Sequence, residues 1–156
     1  MLLKLASRLV ILWCASVVLF CFAFFLPPLY NFVGLTLSIQ RNPEDAQLYL
    51  NRARIGADYG FTTKSLSDLT VAIELLNSEP ENLIGRGEAY LQRARVYSRL
   101  LMGNTQNRTA KNSRGYYTAA VSDCRKAESS FKEADFYPGE SSAKLLKKSL
   151  EGGFQK

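Results

Sequence analysis

Apolar residues follow two regimes along this chain. Residues 9–26 read LVILWCASVVLFCFAFFL without one charge, whereas from residue 42 onward apolar positions recur every three or four residues between charged ones. The first pattern is apolar on every face of a helix, and its 18 residues would span roughly 27 Å, close to the hydrocarbon thickness of a bilayer. Pro27 and Pro28 end or kink such a helix, since proline lacks the amide hydrogen. Tyr30 and Phe32 then fall where an interface favours aromatic rings. The pattern predicts a short terminus at 1–8, a transmembrane signal-anchor helix at 9–28 and a juxtamembrane linker at 29–41. Lys4 and Arg8 face a stretch without basic residues up to Arg41. The positive-inside rule therefore puts the amino terminus in the cytoplasm and the remaining domain across the membrane. A cleaved leader needs small residues before the cut, and Cys21-Phe22-Ala23 is a poor site. The expectation is a single-pass membrane protein that meets lipid through residues 9–28.

The second regime predicts an all-α domain over 42–156. Asn42-Pro43-Glu44-Asp45 offers a cap, a first-turn proline and two carboxylates at the positive end of a helix dipole. Ala46, Tyr49, Leu50, Ala53 and Gly56 follow at helical spacing. Gly60 stops that segment, and Thr62 and Thr63 are available to cap the next. Leu66, Leu69, Ala72, Ile73 and Leu76 share one face of the second helix, which Ser78-Glu79-Pro80 ends.

The pattern then returns. Tyr49-Leu50-Asn51-Arg52-Ala53-Arg54-Ile55 is matched by Tyr90-Leu91-Gln92-Arg93-Ala94-Arg95-Val96, 41 residues on. SLSDLTVA at 65–72 is matched by AVSDCRKA at 120–127. Two segments recurring in the same order indicate stacked helical hairpins. These residues resemble the tetratricopeptide repeat, in which an aromatic opens the first helix and a small residue follows four later. Tyr49 with Ala53, and Tyr90 with Ala94, hold those places. Ser65 with Ala72, and Ala120 with Ala127, match the small residues of the second helix, and Pro80 matches the closing proline. A tyrosine three beyond the small residue is met by Tyr97 but replaced by Gly56 in the first copy. The resemblance covers about 45–81 and 86–131. A polar insertion at 102–113 reads as a loop, and a capping helix is expected at 141–150. The fold expected is thus tetratricopeptide-like hairpins, about two and a half repeats, behind one transmembrane helix.

Composition narrows the chemistry. No histidine is present, and the three cysteines stand at 14, 21 and 124. That removes histidine-based nucleophile pairs, most zinc sites and a disulfide framework. No phosphate-cradling glycine loop occurs, so no enzyme activity and no cofactor are expected. Cys124 falls on the apolar face of its helix and reads as a small hydrophobe. Charge is uneven: residues 41–92 carry five basic and eight acidic side chains, while 93–126 carry eight basic and one acidic. The basic stretch lacks an aromatic-interleaved strand or a recognition helix, so nucleic acid is not an expected partner. Asn107-Arg108-Thr109 fits a glycosylation acceptor pattern, a short motif that recurs by chance.

In the repeat family the first helices of successive hairpins line a concave groove. The resemblance therefore places Leu50, Asn51, Arg54 and Asp58 from the first copy, and Leu91, Gln92, Arg95 and Arg99 from the second, on that groove. Guanidinium forks suit carboxylates, and Asn51 and Gln92 are available to a peptide backbone. The implied peptide-binding set is Asn51, Arg54, Asp58, Gln92, Arg95 and Arg99, and the implied partner is a protein offering an acidic or C-terminal peptide. Arg52 and Arg93, one residue before the small position, are expected to pack through their stems. The function expected is a membrane-anchored adaptor or assembly factor. The alternatives are a homo-oligomerisation module at the membrane and a secreted protein with a cleaved leader.

Overall fold

The computed structural model describes residues 30–79, 81–103 and 110–154, together with Trp13 and Ser16. Every element among them is a helix: α1 over 30–41, then α2 (Ala46–Asp58), α3 (Thr62–Asn77), α4 (Leu83–Gly103), α5 (Ala110–Glu133) and α6 (Tyr137–Phe154). The domain is all-α, as the periodicity predicts.

The expected anchor at 9–28 and the glycosylation pattern at Asn107 lie outside the described residues. Among the described residues no helix is long and apolar enough to cross a membrane. Even the longer helices are interrupted by charge, as in α4, where Arg86, Glu88, Arg93, Arg95 and Arg99 recur. The single-pass, extracytoplasmic placement is therefore not supported, and that expectation is corrected here.

Several helix boundaries differ from the sequence reading for local reasons. Asp45, not Asn42, caps α2: its carboxylate accepts from the Gln47 amide at 2.9 Å, while the Asn42 carbonyl accepts from Asp45 N at 3.3 Å. Neither Thr62 nor Thr63 caps α3, because the N-cap position falls on Phe61, which offers no side-chain acceptor. At the end of α2, Gly60 takes φ +81° and lets Phe61 N reach back to the Gly56 carbonyl at 2.8 Å, a C-terminal motif that needs the left-handed region. Asp135, at φ 53°, repeats it with Phe136 N on the Phe131 carbonyl at 2.8 Å. The residues 110–113, read as part of a polar loop, belong to α5, and α6 extends beyond 141–150 at both ends with Pro138 in its first turn.

Sequential helices pack as neighbours: α2 on α3, α3 on α4, α4 on α5 and α5 on α6. The short connection at 59–61 makes α2 and α3 antiparallel. Beyond these neighbours, α2 also approaches α4, and α4 approaches α6, whereas α3 and α5 do not approach each other. α2, α4 and α6 thus lie together on one side, the inner side, while α3 and α5 stand apart.

Two apolar clusters fill it. Leu50, Leu69, Leu76, Phe131 and Ala143 belong to the larger, and Leu101, Val121, Cys124 and Leu150 to the smaller. Leu146 of α6 packs against both, while Leu145 points outward at 69% exposure. Phe131 is the point where three helices converge. A Cβ added at Gly87 of α4 would lie 2.7 Å from its ring, and one at Gly139 of α6 would lie 2.6 Å from it. Only two glycines let both helices close on that aromatic side chain.

Arg52 and Arg93 do more than pack their stems, and this corrects the sequence reading. Arg52 Nε and Nη2 donate to the two Asp68 oxygens at 2.8 Å each, and Nη1 donates to Thr36 Oγ1 at 3.2 Å. Arg93 repeats the arrangement on Asp123 at 2.7 and 2.9 Å, with Thr70 Oγ1 at 3.3 Å. Each hydroxyl in turn donates to the carbonyl four residues back, Thr36 to Phe32 and Thr70 to Leu66, both at 2.9 Å. Each arginine therefore ties three consecutive helices together: α1, α2 and α3 in one case, α3, α4 and α5 in the other. Tyr49 and Tyr90 face the respective guanidinium carbons at 5.9 and 5.7 Å, within cation–π range. The hydrogen bond to Asp123 is the main reason Arg93 holds its proton more tightly than a free arginine.

Candidate functional site

The inner side of α2, α4 and α6 encloses a cleft of about 370 Å³. Its apolar wall comes from Leu91, Val96, Phe131, Phe136 and Pro138, and its polar rim from Arg54, Asp58, Glu88, Gln92, Arg95 and Arg99. The rim residues follow from helical spacing: Arg54 and Asp58 lie one turn apart on α2, and Glu88, Gln92, Arg95 and Arg99 fall at three- and four-residue steps on α4. Five of the six residues of the implied peptide-binding set thus converge on one cleft.

Asn51 does not join them. Its side-chain oxygen accepts from Gln47 Nε2 at 3.3 Å, and it borders a second depression, between α1 and α2, that also includes Arg54. Leu50 belongs in the core at 1% exposure rather than on the groove, whereas Leu91 lines the cleft at 6%.

The electrostatics of the rim are asymmetric. Arg99 Nη2 donates to Asp58 Oδ1 at 3.1 Å across the cleft mouth, with both side chains more than half exposed. A pair so solvated contributes about 0.2–1 kcal/mol. Arg54 and Arg95, both exposed, make no ion pair among the described residues. Gln92 adds an unmet acceptor, since its Oε1 is buried without a hydrogen-bond partner among the described residues. Leaving such a group unsatisfied costs about 1–3 kcal/mol. The cleft therefore offers an apolar wall and two guanidinium groups without an ion pair among the described residues.

Sequence reasoning missed Phe131, Phe136 and Pro138, which come from the end of α5, the connection after it and the start of α6. Their approach depends on Gly87 and Gly139, and no local pattern in one sequence reports that closeness. Among the described residues no three His, Cys, Asp or Glu side chains gather as they would around a metal ion. Cys124 is fully buried, and burial, reinforced by the Asp123 carboxylate, pushes its thiol up to about 11, which leaves it protonated and unreactive near neutrality. No protein-family model, curated protein or solved structure matches this chain.

Proposed function

We propose that this domain is a protein-interaction module, an adaptor or assembly factor whose cleft holds an acidic segment of a partner protein, and that α2–α3 and α4–α5 are tetratricopeptide-like hairpins capped by α6. One observation carries the binding reading: Arg54, Asp58, Gln92, Arg95 and Arg99 border a single cleft in which Arg54 and Arg95 make no ion pair among the described residues. The repeated Thr–Arg–Asp tie supports the hairpin reading, because it joins equivalent positions in both copies. A carboxylate from outside gives Arg54 or Arg95 the planar, bidentate partner that guanidinium geometry favours.

The test is selection of displayed random peptides on the full-length chain and on its Arg95→Ala/Arg99→Ala variant. The wild type should enrich peptides containing Asp or Glu, and the variant should not. Enrichment should fall with added salt, since screening shortens the Debye length to about 8 Å at physiological ionic strength. Selection of the same peptides by both proteins, unaffected by salt, would refute the proposal. A second reading, self-association, draws on the outer face of α1, where Val33 and Leu37 are each 50% exposed. Light scattering distinguishes it, since a module that only binds partners stays monomeric.

A further inference from the structure

The cleft does not end at α2. Arg54 borders both the main cleft and the depression between α1 and α2. That second depression has Leu35 and Ile55 as its apolar part, and Asn31, Ser38 and Asn51 as neutral hydrogen-bonding groups. Gly34 also borders it, and a Cβ built there meets nothing within 4 Å. The Arg52–Thr36 hydrogen bond at 3.2 Å fixes α1 against α2, so the two depressions are held in one register.

Resting on the proposed function, we infer that the occupant is an extended peptide that crosses α2 at Arg54 and continues onto α1, which supplies a second subsite. The chemistry divides along the path. An apolar side chain meets Leu91, Phe131 and Phe136; a carboxylate meets Arg95 and Arg54; neutral backbone and small polar residues then meet Asn51, Asn31 and Ser38. Packed helix axes lie about 8–10 Å apart, and an extended chain advances about 3.3 Å per residue. Passing from α4 over α2 to α1 therefore takes roughly six residues. A compact anion reaches only the first part of that path, which is why charge complementarity at Arg54 and Arg95 and neutrality on α1 together select a peptide segment.

The experiment is fluorescence anisotropy on the full-length chain with two labelled probes. The short probe is Phe-Glu-Gly; the long probe continues the same core at both ends with Ser, Leu and Asn. Gly34→Leu fills the second depression from a helical position where leucine is favoured over glycine, and circular dichroism checks its fold. We expect it to weaken the long probe about ten-fold, the equivalent of one well-buried contact, and to leave the short probe unchanged. As an independent gain of function, the exposed Asn31→Lys should tighten a long probe whose Asn residues are replaced by Glu. Equal affinity of both probes for the wild type, unchanged by either variant, would overturn the α1 subsite while leaving the main cleft standing. Indifference of both probes to Arg95→Ala would instead overturn the cleft reading beneath it.

Discussion

Replacing Asp68 with alanine tests the physical basis of the fold most severely. Asp68 is 2% exposed at its side chain and Arg52 6%, so the substitution leaves a guanidinium in the interior without its carboxylate, beside Thr36 Oγ1 and two aromatic rings among the described residues. Breaking a buried pair by removing one partner costs about 3–5 kcal/mol. A domain of this size has about 5–15 kcal/mol in total, so the loss is at least about a fifth of its stability. Asp123→Ala should cost less, because Arg93 retains 16% side-chain exposure and water can reach its charge. The ordering of the two is the sharper expectation. Replacing the whole first pair, as Arg52→Met/Asp68→Leu, should recover most of the loss, since an apolar pair carries no desolvation penalty. Urea unfolding followed by far-ultraviolet circular dichroism measures all three variants against the wild type. If Asp68→Ala unfolds at the wild-type midpoint, or the double variant is no better than the single, the three-helix tie does not have the role given to it.

Three further outcomes follow from packing and titration. Gly87→Ala places a Cβ 2.7 Å from the Phe131 ring, which Gly139 blocks from behind, so a strain of about 1–3 kcal/mol should outweigh the helical gain and lower the melting temperature; Gly115→Ala, in open space on α5, should instead gain about 0.5–1 kcal/mol. Cys124 stays protonated in the fold up to about 11, against an ordinary value of 9.0; its contribution is thus intact below pH 9 and lost as pH rises toward 11, worth about 2–3 kcal/mol, and Cys124→Ala should flatten that part of the stability–pH curve. Removing 137–156 uncovers Phe131 and the face that Ala143 and Leu150 bury; the truncated chain should aggregate, dimerise or lose helix signal, and cooperative melting as a monomer at an unchanged temperature would show that α6 is not a cap.

What the sequence made legible is what short-range periodicity encodes. Leu69, Ala72, Ile73 and Leu76 recur on one face and are buried together, and the stop at Gly60 reflects a backbone angle that glycine reaches without strain. Arg54 and Arg95 could be placed because each follows Ala53 or Ala94 by one residue, and Asp58 and Arg99 because each follows by five. The Arg52–Asp68 and Arg93–Asp123 pairs could not, since the partners lie 16 and 30 residues away on other helices, and an arginine beside a small residue looks the same whether its head is wet or paired. Helix caps were misplaced by a few residues because Asn42, Thr62 and Thr63 are chemically able to cap, and only the backbone path decides which one does. Residues 29–41 read as a linker because their apolar content adjoined a long apolar run, yet Thr36 within them completes the first tie and Gly34 borders the depression between α1 and α2.

The central claim is that the basic rim of the cleft holds a carboxylate-bearing peptide. Its most direct measurement is a calorimetric titration of the full-length wild type and of Arg95→Ala with one acidic peptide from the selection, at two salt concentrations. A charge-assisted hydrogen bond is worth about 1.5–3 kcal/mol, so Arg95→Ala should weaken binding by roughly ten- to a hundred-fold, and the wild type should lose affinity as salt rises. Equal affinity of both proteins, insensitive to salt, would contradict it.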